Sequence, residues 1–202
     1  MARPANHKIR QTIIESAYAL FYKNGYRGVS MEQVAAASGI KKANLFHYYS
    51  TKEKLALAVL DGAILCLKKR IAQQFVPGPN DPVKTIKNIF SEISKRMKNA
   101  DCCGGCFIGN IAQELCDHNP AIRKKVADYL RFWENELEQF LLRAVQQKKL
   151  SKKLPTQMAA ESIVCLIEGS MMLSKAYKQT KIFDQASRFI VGYLDNYKTG
   201  GD

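Results

Sequence analysis

The sequence contains no apolar run long enough to span a bilayer, which takes about 20 residues, and no low-complexity stretch or internal repeat. Strand-like alternation of apolar and polar residues is almost absent, which argues against a sheet-based fold. Residues 1–10 are polar and hold no apolar segment of the kind found in secretory signals. We therefore expect a cytoplasmic protein without a membrane partner, whose six cysteines are mostly reduced.

Catalytic patterns are missing as well. The chain has no glycine-rich phosphate loop and no pair of carboxylates with a visible acid–base role. It also has no recognisable set of nucleophile, base and orienting acid. We expect neither an enzyme activity nor a cofactor.

Acidic residues are in deficit, with 18 Asp and Glu against 31 Lys and Arg and a formal net charge of +13. Such an excess favours a polyanionic partner, either nucleic acid or an anionic membrane surface. An ordinary solvated basic surface is the simpler alternative. The excess is marked in residues 1–54, where nine lysines and arginines stand against three glutamates.

Apolar residues recur at helical spacing through nearly the whole chain, and turn signals divide it into about nine helices. The clearest break is Pro77 to Pro82, where Asp81 is placed to cap the following helix. This pattern predicts an all-α protein. We expect a small N-terminal domain of three helices over residues 1–54 and a larger helical domain over residues 55–202.

Two of the short N-terminal helices have the layout of a helix-turn-helix. Ser30 and Gln33 have the spacing of a reciprocal N-terminal cap, which begins the first helix. Gly39 then permits a sharp turn, and the second helix runs from about Lys42 to Tyr48. In a helix-turn-helix the second helix enters the major groove of DNA.

The residues at the start of that second helix suit DNA contacts. Lysine binds phosphate or guanine, and asparagine pairs with adenine. Side chains further along suit contacts to phosphate and sugar. The candidates by this reasoning are Lys41, Lys42, Ala43, Asn44, His47, Tyr48 and Lys52. The alternative is a helical hairpin with a basic, solvated face.

Residues 29–55 carry a more specific pattern, VSMEQVAAASGIKKANLFHYYSTKEKL. This run resembles the DNA-binding signature of the tetracycline-repressor (TetR) family, and the match extends over about Ile9 to Leu60. The resemblance implies that Ser30, Lys42, Ala43, Asn44, His47, Tyr48 and Lys52 face DNA. The chain departs from the family pattern at three positions. Lys41 and Asn44 stand where hydroxyl residues are common, and Phe46 replaces a tyrosine that often binds phosphate.

A second resemblance lies in residues 105–115, GCFIGNIAQEL, which are similar to a block that opens the sixth helix in one subset of TetR-family C-terminal domains. In the family, the last two helices usually pair with those of a second subunit. The resemblance thus implies a homodimer on a palindromic double-stranded operator. Gly169 and Ser170 would allow close approach at the dimer interface, although such small residues also pack within single chains.

Three cysteines, Cys102, Cys103 and Cys106, cluster around two glycines. They are open to three interpretations: inert thiols that fill a turn, a redox or electrophile sensor, or a metal site. A helix N-terminus close to Cys106 would lower the pKa of its thiol and so favour the sensor. A structural zinc site needs four ligands, and no second pair is evident, so we expect no metal. Cys66 and Cys165 lie on apolar stretches and are expected in the core.

The leading hypothesis is a repressor that a small molecule or a thiol-reactive compound releases from its operator. One alternative is a thiol-disulfide enzyme that uses Cys103 and Cys106, although no βαβ context is visible for it. Another is an architectural DNA binder without sequence preference. Glu114 and Glu168 stand on otherwise apolar helices, where either would line an effector cavity or reach solvent at a helix edge.

Overall fold

The computed structural model describes residues 4–75 and 81–199, with side chains from residue 7 onward. Within these ranges the chain forms nine α-helices and no β-strand, which confirms the all-α fold. The helices are α1 (Pro4–Asn24), α2 (Met31–Ala37), α3 (Lys42–Tyr48), α4 (Lys52–Gln74), α5 (Pro82–Asn99), α6 (Phe107–Leu115), α7 (Pro120–Gln146), α8 (Thr156–Tyr177) and α9 (Lys181–Asp195). Of the break predicted at Pro77 to Pro82, residues 77–80 lie outside the described residues.

Side-chain caps explain where several of the helices begin. At α2 the Ser30 hydroxyl accepts a hydrogen bond from the Gln33 backbone N–H, and the Gln33 side chain accepts one from the Ser30 N–H at 2.7 Å. At α5 the Asp81 carboxylate accepts hydrogen bonds from the N–H groups of Val83 and Lys84. Both caps were predicted from the sequence, because they depend on neighbours within three residues.

The chain divides into two compact units. The first comprises the residues up to Leu67 together with Phe107–Ala127, and the second comprises Lys68–Cys106 with the chain from Asp128 onward. The first unit therefore contains α1, α2, α3 and α6, whereas α4 and α7 each contribute to both. The predicted division at residue 54 stays a prediction.

Each unit has its own apolar core. In the first unit, α1, α2 and α3 pack around fully or almost fully buried side chains: Ile13, Phe21, Val34, Leu45 and Leu55. In the second unit, α5, α8 and α9 pack together around Ile86, Phe90, Ile163, Ile167, Phe183 and Leu194. None of the described helices is both long and apolar enough to cross a membrane.

Two thiols that were expected in the core are exposed, and that expectation was wrong. Cys66 on α4 and Cys165 on α8 both lie at the surface of this single subunit. The apolar stretches around them are wider than the face that each helix buries, so these positions fall on the outer side. Trp133, by contrast, is buried.

Candidate nucleic-acid interface

The turn between α2 and α3 is closed by backbone hydrogen bonds. The N–H of Ser38 donates to the carbonyl of Val34 at 2.9 Å, and the N–H of Ile40 donates to that of Ala35 at 3.1 Å. Gly39, between Ser38 and Ile40, has a φ of +66°, a backbone conformation that residues other than glycine rarely adopt. This turn fixes the direction in which α3 leaves α2.

One side of α3 is buried, so the opposite side is presented to solvent. Leu45 is completely buried and anchors the helix in the first unit. The side chains of Lys42, Ala43, Asn44 and His47 are exposed, and so is Lys41, which immediately precedes the helix. The structure thus brings five of the candidate residues to one surface segment of the first unit.

Lys42 forms an ion pair with Glu32 on α2. Hydrogen bonding from Lys42 holds the pKa of the Glu32 carboxyl at about 2, well below its usual range. Both partners are exposed, so the pair adds little to stability. Its effect is to hold the Lys42 ammonium beside the turn of the helix-turn-helix while leaving it accessible.

Three other candidate residues are engaged with neighbours. The Ser30 hydroxyl is used as the α2 cap but remains exposed. The half-buried Tyr48 lies under the Arg10 guanidinium, which is 5.8 Å from its ring centroid. Arg10 was not among the predicted contacts, because α1 alone gives no sign that it reaches α3. Lys52 lies with its ammonium 4.2 Å from the ring centroid of Tyr26.

Glu114 on α6 makes an unexpected contact with the turn between α1 and α2. Its Oε1 accepts a hydrogen bond from the Tyr26 N–H at 2.9 Å, and its Oε2 accepts one from the Arg27 N–H at 2.8 Å. Neither a solvent-exposed helix edge nor an effector cavity describes this arrangement. The partners are separated by 88 and 87 positions, and no local pattern could have predicted the contact.

The cysteine cluster lies on an unusual turn in the second unit. Asp101 and Cys102 have φ values of 49° and 51°, and Gly104 and Gly105 follow with 78° each. Non-glycine residues in this conformation store strain, which is often found at functional sites. Cys102 is buried, whereas Cys103 is exposed and its sulfur accepts a contact from the Lys178 ammonium at 3.6 Å. All six cysteines lie in the described residues, and none forms a disulfide.

Cys106 immediately precedes α6 and donates a side-chain hydrogen bond to Glu168 on α8. Burial raises the pKa of the Glu168 carboxyl, and the bond from Cys106 opposes that rise. Glu168 Oε1 is buried and has no hydrogen-bond partner among the described residues. Nearby, burial raises the pKa of Tyr129, as do the charges of Cys106 and Glu168. The sequence indicated Cys106 but not its pairing with this acid.

Two protein-family models match this chain. A family model described as "Tetracyclin repressor-like, C-terminal domain" matches residues 82–190, which is more than half of the chain. A second, described as "Bacterial regulatory proteins, tetR family", matches residues 13–59 and so includes α2 and α3. The chain belongs to the TetR family. TetR-family proteins are helix-turn-helix transcriptional regulators that bind DNA operators and act as dimers.

Individual relatives agree with this membership. The transcriptional repressor DhaR of Mycobacterium sp. is 20% identical over 181 residues, which cover 90% of this chain and 89% of DhaR. A TetR transcriptional regulator from Chloroflexus aurantiacus superposes with a TM-score of 0.86 at 24% identity, covering 97% and 98% of the two chains. The reduced form of NemR from Escherichia coli superposes with a TM-score of 0.80 at 16% identity, covering 96% and 98%.

These findings confirm the prediction of a TetR-family transcriptional regulator that is not an enzyme. They give no support to the thiol-disulfide enzyme considered as an alternative.

Proposed function

We propose that this chain is a repressor that binds a palindromic operator as a homodimer, with α3 of each subunit in the major groove. The observation that carries the proposal is the exposed surface of α3, where Lys42, Asn44 and His47 project from a helix anchored by the buried Leu45. A short helix held in this way presents its first turn to the edges of the base pairs.

The candidate residues divide by chemistry into two groups. The first group suits the bases: the Asn44 amide can pair bidentately with adenine, and Lys42 suits guanine as well as phosphate. Ala43 offers a small apolar contact for a thymine methyl group. The remaining residues suit the sugar–phosphate backbone, which sets the register of the protein on DNA. They are Ser30, Lys41, His47, Tyr48 and Lys52.

Support for a dimer through α8 and α9 comes from apolar side chains that a single subunit leaves exposed. Met172 on α8 is 55% exposed and Phe189 on α9 is 67% exposed. Gly169 on α8 and Gly192 on α9 have space beside them, because an added Cβ would meet no described atom within 4 Å beyond the adjacent backbone of its own helix. A second subunit packed here would bury these side chains, as isologous dimers do.

Selection from random-sequence DNA by the purified protein tests this function. We expect enrichment of a palindrome whose half-sites are centred about 34–36 Å apart or a multiple of this distance. Relatives named as repressors support the direction of regulation. Enrichment of no sequence would instead favour an architectural binder.

We further propose that the effector is thiol-reactive and acts at Cys106, with a small molecule in the second unit as the alternative. The turn before α6 carries exposed Cys103, buried Cys102 and the strained backbone described above. An accessible thiol is the better resolving partner, so Cys103 takes that role ahead of Cys102. A relative, E. coli NemR, has been solved in a form described as reduced.

With peroxide as the oxidant, such a switch proceeds in two steps from two thiols to a disulfide and two water molecules. Peroxide converts the Cys106 thiol to a sulfenic acid and is itself reduced to water. The Cys103 sulfur then attacks the Cys106 sulfur, a second water leaves, and a disulfide forms. The new bond would constrain the turn that leads into α6.

Replacing Cys106 with serine is expected to abolish the release of operator DNA by mild peroxide, because the first oxidation step is lost. Fluorescence anisotropy of labelled operator measures this release. Cys66→Ser is the matched control, since it removes an exposed thiol on α4, outside both the cluster and the proposed dimer helices. If Cys106→Ser and wild type release DNA equally, or if neither releases it, the cluster is structural and the effector is an ordinary small molecule.

A further inference from the structure

The contact between Glu114 and the α1–α2 turn points to a role beyond the residues that touch DNA. We infer that Glu114 is a positioning residue that sets the placement of the helix-turn-helix by holding this turn against α6. The inference rests on the proposed function, since it assumes that α2 and α3 read an operator. Glu114 itself is not among the candidate residues for DNA contact.

Glu114 accepts hydrogen bonds from two backbone N–H groups that follow the end of α1 and have no partner within that helix. The Gly25 N–H donates to the Phe21 carbonyl and closes the last turn of α1. The next two N–H groups, of Tyr26 and Arg27, both donate to the Glu114 carboxylate. Because a charged acceptor binds two consecutive donors, the carboxylate fixes both the position and the direction of this segment.

Gly25 permits this close approach. Its φ is +75°, and a Cβ built there would lie 3.0 Å from Glu114 Oε1. Any larger residue would therefore meet both backbone strain and the carboxylate oxygen. The glycine that ends α1 thus also provides room for the side chain from α6.

The same carboxylate acts on Lys52 at the start of α4. Desolvation lowers the pKa of the Lys52 ammonium, and the negative charge of Glu114 opposes that effect. Lys52 also lies over the ring of Tyr26, whose N–H is bound by Glu114. A single acidic side chain therefore binds the turn before α2 and also lies close to Lys52, a residue assigned to phosphate.

Few residues of the chain separate the turn bound by Glu114 from α2 and α3. Arg27 is three residues before Ser30, which caps α2, and α2 leads through the Gly39 turn into α3. At its other end, α6 begins at Phe107, immediately after Cys106. One helix thus follows the candidate sensor thiol in the chain and carries the carboxylate that holds the turn before α2.

Positioning and direct contact have different signatures in DNA binding. A residue that contacts phosphate changes the affinity for all sequences and the dependence on salt. A residue that only orients α3 changes the ratio of operator to random-DNA affinity. Removal of an acid near a polyanion also raises affinity for any DNA, so this ratio is the quantity to measure.

The test compares Glu114→Gln with Gln113→Ala, a change at the neighbouring exposed position of α6. Glutamine keeps the shape of the side chain but has one acceptor oxygen, so one backbone N–H loses its partner. We expect the ratio of operator to random-DNA affinity to fall about tenfold in Glu114→Gln, as for one charge-assisted hydrogen bond. The salt slope should stay as in wild type, and Gln113→Ala should leave the ratio unchanged.

Gly25→Ala provides an independent variant, because it strains the turn and displaces the carboxylate without altering Glu114. It should lower the ratio in the same direction. If wild type itself shows no preference for any sequence, the proposed function fails. If wild type shows a preference and Glu114→Gln retains it in full, only the positioning role is overturned. A salt slope reduced by about one unit would also overturn it, because that result assigns the effect to a lost phosphate contact.

Discussion

Replacing Asn44 with alanine is expected to remove discrimination at one base position of each half-site, at a cost of about 1–3 kcal/mol if the amide pairs bidentately with adenine. Asn44 is exposed in the first turn of α3, where the side chains of a recognition helix meet the base edges. Because the operator has two half-sites, this loss of binding free energy should occur once in each half-site. Competition between the selected operator and single-base variants measures the effect.

Lys52→Gln is the contrasting variant. An ammonium assigned to phosphate should, when neutralised, weaken binding to all sequences alike and reduce the salt slope by about one unit. Base preference at every position should be retained. If Asn44→Ala and Lys52→Gln both bind operator and random DNA as wild type does, α3 is not the recognition helix.

Replacing Gly169 with tryptophan is expected to convert the dimer to a monomer. A Cβ added at this position would meet no described atom within 4 Å beyond the adjacent backbone of α8, so the site faces open space and the fold of the single chain should survive. Bulk at the proposed interface would instead separate α8 from its partner copy. A monomer engages one half-site at a time, so operator affinity should fall by about 10²-fold or more.

Analytical ultracentrifugation and operator titration together measure this effect. Gln139→Trp is the control, because it introduces the same side chain at an exposed position of α7. The control should remain dimeric. A Gly169→Trp protein that stays dimeric and binds the operator tightly would locate the interface elsewhere.

Local features of the fold were predictable from the sequence. The bounds of α3 at Lys42 and Tyr48 and the cap formed by Ser30 and Gln33 follow from short-range patterns. The overall all-α class followed from periodicity that extends over nearly the whole chain. Such features depend on neighbours three or four residues apart, which a single sequence displays directly.

Contacts between distant segments were not predictable. Glu114 and Glu168 each looked like an acid on an apolar helix, and only the folded chain shows that one binds the α1–α2 turn while the other accepts a bond from Cys106. The exposure of Cys66 and Cys165 was missed for a related reason. Apolar content identifies a helix that is partly buried, but the packing partner decides how wide its buried face is.

Methylation interference on the selected operator tests the central claim most directly, because methylation at guanine N7 blocks the major groove and methylation at adenine N3 blocks the minor groove. We predict interference at guanine N7 in two patches on one face of the DNA, centred about 34–36 Å apart or a multiple of this distance. Asn44→Ala should bind with an unchanged pattern of interference but weaker base preference within each patch. Interference only at adenine N3, or none at any base, would contradict the placement of α3 in the major groove.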